Sequence, residues 1–79
     1  MFITLLGCKI SRKDAVALYT ERRLTQLNIV DTPGGFRIDL GKGRLIEAWG
    51  TQQEVGDLRL DMLVAGLLAR AREEEEHAG

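Results

Sequence analysis

The chain has 79 residues, 11 basic against 12 acidic, with one cysteine and one histidine. That length allows a single domain, and the near-neutral balance argues against a general electrostatic grip on nucleic acid or on an anionic membrane. No apolar run reaches the ~20 residues of a membrane span, residues 1–8 lack the features of a signal peptide, and the lone Cys8 cannot close an intramolecular disulfide, so the expected setting is a reducing cytoplasm.

Residues 2–6 form a short, almost wholly apolar run of strand-formers that ends at Gly7. Ser11 then stands three residues before Asp14, a spacing that resembles a capping box, and the helix it opens is expected to run to about residue 28. Val16, Tyr19, Leu24 and Leu27 fall on one side of that helix; Glu21, Arg22 and Thr25 lie opposite. Residues 31–35, Asp-Thr-Pro-Gly-Gly, are a turn by composition.

The next segment carries the clearest pattern. Phe36, Ile38 and Leu40 alternate with Arg37 and Asp39, as in a strand with one buried face. Gly41, Lys42 and Gly43 read as a three-residue hairpin loop with Gly43 in the left-handed conformation, and residues 44–49 form the return strand. That loop sets a register in which Leu40 faces Arg44, Ile38 faces Ile46, Phe36 faces Ala48 and Arg37 faces Glu47. Arg37 and Glu47 then form an opposite-charge pair on the second face, beside Leu45 and Trp49.

A last helix is expected from about Thr51, with Glu54 three residues on as a second capping box, weakened slightly by Gly56 and Gly66. It ends in four glutamates at 73–76, at the negative end of the helix dipole, so residues 1–72 are expected to form the domain and 73–79 a frayed acidic tail. This helix carries two apolar stripes. Leu60, Leu63, Val64, Leu67 and Ala71 share one side; Val55, Leu58, Met62, Ala65 and Ala69 share another. A surface helix normally has one. The second stripe asks for a second surface, and a chain this short buries too little to be more than marginal alone. The expectation is a homodimer through Leu58, Met62, Ala65 and Ala69, whose small members permit close helix approach.

The element order β-α-β-β-α implies an α+β domain: a three-stranded mixed sheet of order 2-3-1 with two helices on one face, a ferredoxin-like pattern lacking its last strand. The other face of such a sheet is uncovered, and Leu45, Trp49, Arg37 and Glu47 on it are the candidate partner-binding residues.

Catalytic chemistry has little to rest on. The only histidine, His77, lies in the tail, and no Cys/His cluster is present to hold zinc. Ser11 is better spent as a helix cap than as a nucleophile, and Asp57 with Asp61, one helical turn apart, suit a solvated strip better than a cation site. The glycines at 35 and 41 are one residue too far apart for a phosphate-binding loop, and Gly43 stands where that loop needs a hydroxyl. No catalytic residue, cofactor or metal is expected. Arg12, Lys13, Arg22 and Arg23 on the first helix, with Arg37, Lys42 and Arg44 on the hairpin, sketch an alternative, a small DNA-binding regulator using helix 11–28 and hairpin 36–49; the arginines form no single stripe. The favoured expectation is a non-enzymatic, self-associating protein-binding module that occupies a surface of a larger partner. Its size and its Arg-, Ala-, Leu- and Gly-rich composition are common among phage and mobile-element accessory proteins, including anti-CRISPR inhibitors of host defence, although no motif carries that association.

Overall fold

The computed structural model describes residues 1–78, with side chains described through Glu76. The chain runs β1 (Phe2–Leu5), β2 (Cys8–Lys9), α1 (Arg12–Glu21), a 3₁₀ turn (Gln26–Asn28), β3 (Ile29–Thr32), β4 (Gly35–Gly41), β5 (Arg44–Trp49) and α2 (Gln52–Ala78). This is a small α+β domain with two helices. The sheet, however, has five strands in the order β2-β1-β5-β4-β3, not three, and every neighbouring pair is antiparallel, not mixed. The three strands read from the sequence form its centre, with β5 between β1 and β4 as expected. The two additional strands are the short edges.

Both edges depend on breaks that the sequence pattern concealed, at Leu6–Gly7 and at Arg23. Leu6 and Gly7 take φ of 54° and 77°, a two-residue turn of the primed kind that folds β2 back on β1. Helix α1 stops at Glu21 rather than near residue 28, because Arg23 adopts the left-handed conformation at φ 55°. The Leu24 amide then reaches the Tyr19 carbonyl and the Arg23 amide the Thr20 carbonyl, the paired bonds of a Schellman end. Glycine is the usual residue there; an arginine gives no warning in sequence. Thr25 and Asn28 next cap a single 3₁₀ turn, leaving Leu27 94% exposed, and the chain enters β3.

The central hairpin keeps the expected register from Phe36↔Ala48 through Arg37↔Glu47 to Ile38↔Ile46. Its loop differs. Lys42 (φ 55°) and Gly43 (φ 75°) form a two-residue turn, and Gly41, not Leu40, pairs with Arg44. The surplus residue is absorbed as a bulge around Leu40 and Gly41, where Gly41 takes φ 84° and its amide donates to Asp39 Oδ1 at 2.7 Å. Pro33 and Gly34 (φ 78°) turn β3 into β4. Gly35 just beyond has no room for a side chain: a Cβ there would fall 1.7 Å from the Ala48 carbonyl oxygen.

The core lies between one sheet face and the two helices. Ile3, Phe36, Ile38, Ile46 and Ala48 come from the sheet, Ala15 and Tyr19 from α1, and Leu58 and Met62 from α2. Leu58 and Met62 are completely buried. Two members of the expected dimer contact, Leu58 and Met62, are therefore committed to the monomer's own core, while Ala65 and Ala69 farther along the same stripe are half-buried. At Gly66 a Cβ would come within 3.3 Å of Tyr19 Cε1, so α1 sits close against α2. The helix continues through the glutamates at 73–76 to Ala78, with Arg23 bridging Glu73 at 3.0 Å. The His77 side chain and Gly79, both assigned to the tail, lie outside the described residues.

Candidate functional site

Among the described residues, no element lies over the sheet face opposite the helices. Its rows follow from the register. Across the middle run Val30, Arg37, Glu47, Thr4 and Lys9, each the cross-strand partner of the next. At one end Trp49 pairs with Phe2 on β1 and with Gly35 on β4; toward the hairpin tip Asp39 pairs with Leu45. The four residues singled out from sequence, Leu45, Trp49, Arg37 and Glu47, therefore share this one face.

The structure adds residues that the sequence reading left unnamed at this site. Phe2 and Trp49 stack at a ring-centroid distance of 6.3 Å and a tilt of 56°, a favourable aromatic geometry. They are 51% and 38% exposed, so neither is absorbed into the core. Lys9 Nζ stands 5.3 Å above the Phe2 ring, within reach of a cation–π contact. Val30 is also exposed, from the far edge. Residues 2–6 are apolar on both sides, so only the pairing of β1 with β5 assigns Phe2 to this face, and nothing in a two-residue strand announces Lys9.

The aromatic pair is held at its back. Thr51 and Glu54 form the reciprocal capping box expected of them, at 3.0 and 3.2 Å, immediately after Trp49 and Gly50. The second Glu54 oxygen accepts from the Met1 ammonium at 2.7 Å. Glu54 thus ties the residue before Phe2 to the turn after Trp49. The ammonium hydrogen bond foremost, and then the Thr51 amide and hydroxyl, hold the Glu54 carboxyl down at about 2 from an ordinary 4.5.

The other candidates resolve into structural roles. Ser11 Oγ accepts from the Asp14 amide at 3.0 Å, as a cap does. Asp61 is held by Arg12, with Nε at 2.7 Å, while the stretch from Gly35 to Gly41 is strand β4. Among the described residues no group of three or more His, Cys, Asp or Glu side chains converges where a metal could bind, and no helix is long and apolar enough to cross a membrane. The basic residues of the DNA-binding alternative are divided: Arg12 at the start of α1 and Arg23 just beyond its end are engaged with Asp61 and Glu73, and Arg37 faces outward on the opposite side of the sheet. Compared with known protein families, with curated proteins and with solved structures, the chain matches none of them.

Proposed function

We propose that this protein is a non-enzymatic binding module that occupies a surface of a larger protein through its uncovered sheet face. The observation that carries the reading is the half-exposed Phe2–Trp49 pair, braced by Glu54 and flanked by Lys9, on a face with no covering layer. Aromatic side chains held rigid at a surface supply large contact area at small entropic cost, and they dominate binding hot spots. Arg37 and Glu47 beside them offer one charge of each sign, which suits orientation on a polar rim better than attachment to a polyanion. Blocking a partner's surface is also how small inhibitors of the anti-CRISPR kind act, and such a role fits a domain with this face.

The test replaces Trp49 by Ala and measures folding and capture together. Immobilised wild-type protein should retain a partner from the native host's extract, and retention should survive added salt. Trp49→Ala should weaken that capture by about 2 kcal/mol while its urea midpoint stays near wild type. Equal capture by both proteins, or loss of stability in step with loss of capture, would reject the sheet face as the site. Steeply salt-dependent binding to a DNA duplex would favour the regulator instead.

A further inference from the structure

On α2 the stripe turned away from the core is as apolar as the buried one. Leu60, Val64, Leu67 and Ala71 form a seam spaced four, three and four residues apart, flanked by Leu63 and Leu68. All five larger members are exposed, Leu67 to 55%. Contiguous exposed apolar surface of this kind, rimmed by charged residues, marks a contact surface.

We infer that a second copy of this chain covers this seam, its α2 running antiparallel. The spacing is that of alternating a and d positions, and an antiparallel pair sets a against d. Centred on the seam, Val64 of one copy meets Leu67 of the other, and Leu60 meets Ala71, so a large residue always faces a smaller one or a comparable neighbour. Charge selects the same direction. Asp57 lies just beyond the N-terminal end of the seam, with Asp61 on the same flank already held by Arg12, and Arg72 lies on that flank of the C-terminal half. Antiparallel pairing brings Arg72 of the second copy toward Asp57, whereas a parallel pair would set both glutamate runs at 73–76 side by side.

The next layer outward places Glu74 against Asp57 of the second copy, a like-charge contact that closes the dry seam at twelve residues, about 18 Å of helix. An interface of that length falls at the small end of specific association and predicts a reversible dimer. Because the seam lies opposite the core stripe, the two uncovered sheet faces end on opposite outer sides of the dimer, giving two copies of the aromatic site. The dimer does not depend on what that site binds.

Sedimentation equilibrium should give twice the 8.8 kDa chain mass at concentrations of tens of micromolar. Leu67→Glu should return the monomer mass with an unchanged circular dichroism spectrum, since Leu67 contributes nothing to the core. Direction is read from chains carrying Cys8→Ser together with either Val64→Cys or Leu67→Cys, mixed in equal amounts and oxidised. Mixed disulfides should predominate over like-with-like disulfides. A monomer at every concentration, a dimer indifferent to Leu67→Glu, or predominantly like-with-like disulfides would each overturn the proposal.

Discussion

The two apolar stripes of α2 carry residues of opposite size to what burial alone would suggest. The stripe facing the core holds Val55, Leu58 and Met62 over the sheet, then narrows to Ala65, Gly66 and Ala69 where α1 crosses it. The stripe facing outward holds Leu60, Leu63, Val64, Leu67 and Leu68. Core filling is not a matter of choosing the largest side chains. Where two helices approach closely, one supplies the bulk, here Tyr19 of α1, and the other must leave room. The outward stripe faces no such constraint from its own chain, and its leucines are free to serve another surface.

The sharpest way to break this comparison is to truncate one residue from each stripe. Met62→Ala should lower the stability of the monomer by about 3 kcal/mol, since it deletes a buried side chain and leaves a cavity. Leu67→Ala, measured by urea titration at dilute protein, should stay within about 0.5 kcal/mol of wild type. Equal losses would mean that both stripes belong to the core.

The glycines of α2 sharpen the same contrast. Gly56 faces open space, so Gly56→Ala should stabilise by up to about 1 kcal/mol through helix propensity alone. Gly66→Ala gains the same propensity but brings a methyl to 3.3 Å from the ring of the buried Tyr19. Overpacking of that kind costs about 1–3 kcal/mol, so the net change should be a loss. Thermal midpoints moving in opposite directions would confirm that α1 presses on one side of α2 only.

How much of this was legible follows from where each element gets its information. The hairpin register could be read because five alternating apolar positions and a glycine-flanked loop agree with each other; only the bulge at Leu40 and Gly41 escaped, since a surplus residue next to a turn leaves the alternation intact. Strand β3 could not be read. Ile29 and Val30 continue a helical pattern, and the break that precedes them is made by Arg23, a residue with no preference for left-handed φ. Strand β2 is two residues long and has no pattern to show. The outer sheet face was legible in Leu45, Trp49, Arg37 and Glu47, but its aromatic partner, Phe2, depended on how β1 registers with β5. As for the two stripes, periodicity revealed both and could not rank them. Ranking needed Tyr19, whose bulk is invisible from within α2.

Arg23 itself supplies a smaller test of how α1 is fitted to the inner stripe. Arg23→Gly should stabilise the protein by about 1 kcal/mol, because glycine holds the left-handed conformation without steric cost. The substitution also removes the bridge to Glu73, an exposed pair worth at most about 0.5 kcal/mol. A raised urea midpoint is therefore expected. A lowered one would show that the bridge, rather than the Schellman end, holds α1 against α2.

The smallest effect lies at the N-terminal end of α2, where Glu54 joins the inner stripe to the aromatic pair of the sheet face. Its carboxyl is held at about 2 in the folded protein against an ordinary 4.5, chiefly by the Met1 ammonium. A carboxyl depressed on folding contributes stability that is complete above the unfolded value and is lost as pH falls through the folded one, because the unfolded chain takes up the proton first. The contribution of Glu54 should thus fade as pH drops from about 4.5 toward about 2. Glu54→Gln should flatten that part of the wild-type urea-midpoint profile. If Glu54→Gln instead leaves the acid limb intact, the ammonium contact does not brace the Phe2–Trp49 pair, and their rigidity must come from strand pairing alone.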